Sequence, residues 1–135
     1  MEITLFIKKS GSLKADCVKT TTSFKHEDII LKDIIFIDKF TDINYGKIKS
    51  EWWIVLYDDE FIEIRLLDTF DVICNQMIFD AFSFYKIDRE SKVTLCPRLF
   101  RNWVEIESDR LYPSTPVKME AILDGWVMEH DNITV

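Results

Sequence analysis

Residues 51–66, EWWIVLYDDEFIEIRL, constrain the fold more than any other stretch of the chain. Side chains of a strand alternate between its two faces, and in 51–57 both faces are apolar: Trp52, Ile54 and Leu56 on one, Trp53, Val55 and Tyr57 on the other. A strand of this kind is covered on both sides, so we expect it at the centre of a sheet. Residues 61–67 alternate apolar and polar, which predicts a second strand that forms a hairpin with the first.

Three acids, Asp58, Asp59 and Glu60, join the two halves of this predicted hairpin. Burying an unpaired carboxylate costs several kcal/mol of solvation free energy. We therefore expect the acidic tip to project into water.

From residue 68 the apolar spacing changes from two to between three and four residues. The apolar stripe consists of Phe70, Ile73, Cys74, Met77, Ile78, Ala81, Phe84 and Tyr85. Polar residues occupy the opposite face, so the spacing predicts an amphipathic helix near residues 69–85.

The other segments favour strands. Residues 3–7 and 13–24, separated by a polar turn, predict an opening hairpin. Residues 29–38 are apolar on both faces, which places their strand inside the sheet. Pro97 cannot donate to a ladder, so its strand is predicted at an edge or beginning there.

Residues 117–129 carry two conflicting signals. Thr115 and Pro116 resemble a helix start, whereas Asp124-Gly125 is a favoured two-residue hairpin turn. The segment is predicted to be a C-terminal helix or hairpin, with a slight preference for the helix.

These elements predict one domain over residues 1–135, since the chain has 135 residues and 47% apolar composition. The predicted fold class is α+β. A mainly antiparallel sheet of five to seven strands is packed on one face by the helix near residues 69–85. The expected core comprises Trp52, Ile54, Leu56, Ile62, Ile64, Ile73, Met77 and Ile78.

Charge and cysteine content limit the possible functions. The net charge is −7, divided into +2 over residues 1–50 and −9 over residues 51–135. This disfavours direct nucleic-acid binding, which depends on Lys and Arg. The three cysteines are odd in number and lack paired spacing, and no apolar run is long enough for a membrane span. These features predict a cytoplasmic protein without membrane association.

Signatures of catalysis are weak. His26 and His130 lack metal-ligand spacing, and three glycines provide no phosphate-binding loop. Arg98 and Arg101 alternate with aromatic residues in 97–103, a pattern that we interpret as side chains packed on one another. We therefore assign no catalytic residue, cofactor or metal, and we favour a non-enzymatic protein.

The remaining hypothesis is protein recognition. The acidic half and the ten Phe, four Trp and four Tyr residues suggest an inhibitor or immunity-type module. It would mask the basic surface of a partner such as a nuclease or nucleic-acid-binding enzyme. The candidate partner-binding residues are Asp58, Asp59, Glu60, Glu63, Glu105 and Glu107. The alternatives are an assembly subunit that homo-oligomerises through an edge strand, and an enzyme with a dispersed active site.

Overall fold

A computed structural model describes residues 1–75 and 78–130 of the chain. It contains two α-helices, α1 (Cys17–Thr22) and α2 (Ile64–Cys74). The seven strands are β1 (Glu2–Lys8), β2 (Ile30–Ile37), β3 (Trp52–Tyr57), β4 (Glu60–Ile62), β5 (Ala81–Ile87), β6 (Val93–Arg101) and β7 (Met119–Glu129).

All seven strands join one sheet in the order β2-β1-β3-β6-β5-β7-β4. The α+β class and the strand number agree with the sequence analysis. The sheet is mixed, however, and the expectation of a mainly antiparallel sheet was wrong. β1 is parallel to both β2 and β3, and β5 is parallel to β7. The pairs β1–β2 and β1–β3 are parallel because the chain crosses over the sheet between β1 and β2 and again between β2 and β3. The pair β5–β7 is parallel because residues 102–118 cross over between β6 and β7.

The sheet is strongly curled. β3 and β4 are separated in the chain only by Asp58 and Asp59, yet they lie at non-adjacent positions of the sheet. The β4 edge must therefore return to the carboxyl end of β3, and the predicted β3–β4 hairpin was wrong. β4 instead pairs antiparallel with β7, with Glu60 opposite Glu129.

Two apolar layers cover the two faces of β3, as its sequence predicted. The inner layer combines Trp52, Ile54 and Leu56 with Leu66 and Phe70 of α2. In the outer layer, apolar residues of the segments 40–48 and 104–111 pack against Trp53 and Val55. These residues are Phe40, Ile43, Ile48, Val104, Ile106 and Leu111. β3 is consequently the buried centre of the molecule.

The predicted helix near residues 69–85 is only partly correct. α2 begins earlier, at Ile64, and ends at Cys74, while 81–87 form the interior strand β5. In β5, Phe84 packs in the inner layer and Ala81 in the outer layer, so the spacing of Ala81, Phe84 and Tyr85 continued the helical stripe only by coincidence. The intervening residues 76 and 77 lie outside the described residues.

The carboxyl-terminal prediction was also wrong. Residues 119–129 form the single strand β7, and its register against β5 shifts between Phe84 and Tyr85, where Ile122 and Trp126 are the successive partners. Gly125 lies at this irregularity with a φ of 115°, which glycine adopts readily. The turn-like Asp124-Gly125 pair therefore marks a bulge.

Three further strand predictions need correction. Residues 17–22 form α1, capped by Asp16, so the opening hairpin is absent from the described chain. β2 is the edge strand rather than an interior one. Pro97 lies inside the interior strand β6, beside a register shift between Phe82 and Ser83 that accommodates its missing N–H.

Four predicted core residues are buried, namely Trp52, Ile54, Leu56 and Ile62. Ile73 is half-buried and packs against the inner layer. Ile64 and Ile78 are 59% and 62% exposed, because α2 begins at Ile64 and ends before Ile78. Met77 lies outside the described residues.

Candidate functional site

Glu60 lies at the centre of a buried ion-pair network at the carboxyl end of β3. Its side chain is 0% exposed, and Arg98 of β6 binds it with both terminal nitrogens, at 2.6 and 2.7 Å. Lys86 of β5 approaches the same carboxylate at 2.7 Å, and the backbone N–H of Tyr57 donates to it at 2.7 Å. Two strands of the curled sheet thus supply the charges that neutralise one buried carboxylate, and β3 adds a backbone hydrogen bond.

Asp58 and Asp59 are also bound from within the protein. The Asp58 carboxylate accepts hydrogen bonds from the hydroxyl and the backbone N–H of Ser10, at 2.5 and 3.0 Å. Asp59 pairs with Arg89 at 3.0 Å, and Arg89 also lies 3.6 Å from Glu129. Both aspartates are at least nine-tenths buried. The expectation that this tip projects into water was therefore wrong.

Opposing effects act on the ionisation of this network. Burial raises the pKa of Glu60, but the charges and hydrogen bonds of Arg98 and Lys86 outweigh it and hold the pKa below its ordinary value. Burial lowers the pKa of Lys86, yet Glu60 raises it above the usual value. Burial is also the main reason why the pKa of Tyr57 is raised. Glu60 and Lys86 are therefore both ionised at neutral pH.

The other three candidate partner-binding residues lie apart from this network. Glu63 precedes α2 and contacts Arg65 at 2.5 Å. Glu107 pairs with Arg110 at 2.6 Å, and the hydrogen bond from Arg110 lowers the pKa of Glu107. Glu105 is exposed and lies in the segment that follows β6. The six residues do not form one continuous acidic surface.

A cleft of about 430 Å³ opens at the opposite end of β3. It lies between the beginnings of β1 and β3 and the end of α2, and its lining includes Glu2, Lys49, Glu51, Trp52, Asp71 and Cys74. Trp52 is 2% exposed and its ring lies 4.4 Å from the guanidinium of Arg101. Arg101 thus packs on a ring of β3, whereas Trp103 of the Arg-aromatic segment 97–103 is 54% exposed.

Two carboxylates at the cleft differ from those of the buried network. Glu51 and Asp71 are exposed, and within 1–75 and 78–130 neither has a cation within ion-pair distance. Glu2, by contrast, pairs with Lys32 at 3.2 Å. Sequence reasoning missed Glu51 and Asp71 because they belong to no motif and lie in different elements, one before β3 and the other in α2. Only the packing of α2 beside β3 brings them to one cleft.

The cleft does not supply an activated nucleophile. Burial raises the pKa of the Cys74 thiol to about 12; the charge of Arg101 has a smaller lowering effect and that of Asp71 a smaller raising effect. A thiol with that pKa stays protonated at neutral pH, whereas the reactive species is the thiolate. In the described part of the chain, no group of three or more His, Cys, Asp or Glu side chains could hold a metal ion.

No protein-family model matches the chain, and a search of curated proteins finds no significant match. No helix among residues 1–75 and 78–130 is long and apolar enough to cross a membrane.

Proposed function

We propose that the protein is a non-catalytic binding module of the inhibitor or immunity type, which masks a basic surface of a partner protein such as a nuclease or nucleic-acid-binding enzyme. Its binding face is the cleft at the beginning of β3, where Glu51 and Asp71 of α2 lie. The supporting observation is the contrast between these exposed carboxylates and the buried Asp59 and Glu60 at the other end of β3, which are bound to internal cations.

Uncompensated surface carboxylates suit a basic partner for electrostatic reasons. Asp59 and Glu60 contribute little to the external field, because Arg89, Lys86 and Arg98 neutralise them. Glu51 and Asp71 attract cations from outside, in a protein whose net charge is −7. Such a potential accelerates association with a positively charged partner and repels nucleic acid.

The segment after β6 extends the proposed face with acidic and aromatic residues. Asn102 is joined to the start of β3 because its backbone N–H donates to the carbonyl oxygen of Glu51 at 2.8 Å. The adjacent Trp103 is 54% exposed, and Glu105 follows in the same segment. Exposed tryptophans contribute strongly to protein interfaces, so Trp103 is a suitable anchor beside the acidic cleft.

A defined basic probe tests the electrostatic part of this proposal. We would titrate a deca-arginine peptide into the wild type, Glu51→Lys/Asp71→Lys and Glu90→Lys/Asp88→Lys by calorimetry at two salt concentrations. Asp88 and Glu90 lie in the β5–β6 turn at the other end of the sheet, which makes that variant a control with the same charge change. Wild type and control should bind, more weakly at high salt.

The cleft variant should lose at least about tenfold in affinity relative to the control, since two attractive charges become repulsive. Equal affinities of the cleft and control variants would show that only net charge matters and would contradict a localised binding face. Circular dichroism of each variant would establish that the fold is retained.

A further inference from the structure

The edge strand β2 exposes apolar side chains. Ile34 and Phe36 are 41% and 56% exposed, although they neighbour Leu5 and Ile7 in the inner layer of the sheet. Ile30 at the start of the strand is 59% exposed. An open edge with exposed apolar residues is a site for pairing with another strand.

The backbone of β2 identifies the residues available for such pairing. Lys9 donates its N–H to the carbonyl oxygen of Ile37, so Ile37 faces β1. Successive residues of a strand direct their backbone groups to opposite sides, and Ile35 therefore faces β1 as well. Ile34 and Phe36 direct their N–H and C=O groups away from the sheet.

The opposite edge of the sheet is closed by α1. Thr20 donates its hydroxyl to the carbonyl oxygen of Glu60 at 2.7 Å, and the N–H of Ile62 donates to the hydroxyl of Ser23 at 3.2 Å. These bonds occupy outer backbone groups of β4. Pairing of β2 with the β4 edge of another molecule would have to displace them, so the available geometry joins β2 to β2.

The sequence of β2 is complementary to itself in the antiparallel direction. With Ile35 at a twofold axis, Ile34 lies opposite Phe36 of the second copy. Both residues direct their backbone groups away from their own sheet, and their side chains lie on the same face. Beyond the residues paired in this register, Lys32 lies at the register shift of β2 against β1 and Asp38 follows the last residue of the strand, and the twofold axis brings Lys32 of one copy to the same end as Asp38 of the other. Both side chains are exposed, at 39% and 67%, and their present ion pairs with Glu2 and Lys9 are on the surface. Exposed pairs of this kind contribute little and exchange readily.

We propose that the protein forms a twofold homodimer by antiparallel pairing of β2 with β2 of a second copy. The dimer continues the sheet across the axis and covers Ile34 and Phe36. It closes at two subunits, because a C2 interface uses the same surface of both copies. This proposal is independent of the basic-partner proposal, whose residues lie at the cleft.

Sedimentation velocity over about 1 to 500 µM protein tests the dimer. The wild type should show a monomer–dimer equilibrium with no larger species. Phe36→Lys should weaken the dimer more than about tenfold, since it replaces an apolar cross-strand contact by a charge. Ile64→Lys is the matched control, because Ile64 is 59% exposed on α2 and away from β2, and it should leave the equilibrium unchanged.

Charge exchange tests the register separately from the apolar contact. Asp38→Lys should weaken the dimer by placing two lysines together, and Lys32→Asp/Asp38→Lys should restore it. A wild type that stays monomeric at every concentration would overturn the proposal. So would a dimer that tolerates Phe36→Lys, an Asp38→Lys effect that the exchange fails to reverse, or growth into larger assemblies.

Discussion

Arg98 binds Glu60 through two parallel hydrogen bonds of 2.6 and 2.7 Å, and both side chains are almost completely buried. Bidentate guanidinium–carboxylate pairs are among the stronger polar contacts in proteins. Lys86 also approaches Glu60, so loss of Arg98 would leave the carboxylate with incomplete compensation.

Substitution of Arg98 should therefore destabilise the fold strongly. We expect Arg98→Met to lower the free energy of unfolding by about 3 to 5 kcal/mol, because it leaves a buried carboxylate short of a partner. Glu60→Met/Arg98→Met should recover a substantial part of this loss, since it removes both charges. Urea unfolding of the two single variants and the double variant measures the coupling. Additive losses would contradict the role of the pair.

The ionisation of Glu60 should make stability sensitive to acid. Its pKa in the folded protein lies below the ordinary value of 4.5, so its contribution is fully present above that pH and is lost as the pH falls through the folded-state pKa. Melting temperatures of the wild type and Glu60→Gln between about pH 7 and 3 check this. The two should converge below pH 4.5, and parallel curves there would contradict the prediction.

Gly125 should not tolerate a side chain. A Cβ at this position would lie 2.6 Å from the backbone nitrogen of Leu66 and 2.8 Å from its Cα, and φ is +115°. Gly125→Ala should cost about 2 to 4 kcal/mol of unfolding free energy, since backbone must move. Gly11→Ala is the control, because Gly11 also has a positive φ of +77° but no atom within 4 Å of its Cβ position. Equal losses of unfolding free energy in the two variants would show that the positive φ alone, and not the contact with Leu66, causes the destabilisation.

Cys74 should react slowly in the folded protein. With its pKa raised to about 12 by burial, its thiolate fraction at pH 8 is about a thousandfold lower than that of a thiol with the ordinary pKa of 9.0. Alkylation with iodoacetamide at pH 8, followed by peptide mass spectrometry, compares native and urea-unfolded protein. Equal labelling rates at Cys74 in both states would contradict its protected environment.

The sequence predicted the features that depend on local pattern. β3 is central because both of its faces are apolar over six residues, and the structure covers both faces. The same pattern in β2 led to a wrong position, because alternation reports which residues are apolar and not whether a neighbour covers them. Ile34 and Phe36 lie on the inner-layer face but beyond the buried core.

The buried acids could not be predicted from their own segment. Asp59 and Glu60 resemble a solvated turn until Lys86, Arg89 and Arg98 are brought to them from β5, the adjoining turn and β6. The pairing depends on the curl of the sheet, which follows from long-range strand order. Likewise, the cleft depends on the packing of α2 beside the beginning of β3, which brings Glu51 and Asp71 together.

The most direct test of the proposed function compares three immobilised baits in lysate of the source organism: wild type, Glu51→Lys/Asp71→Lys, and Asp88→Lys/Glu90→Lys. Wild type and Asp88→Lys/Glu90→Lys should retain the same basic protein, which rising salt releases. Glu51→Lys/Asp71→Lys should not retain it. Once purified, that protein should be a nuclease or nucleic-acid-binding enzyme that the wild type blocks. Retention of the same proteins by all three baits, or of none by the wild type, would contradict the proposal.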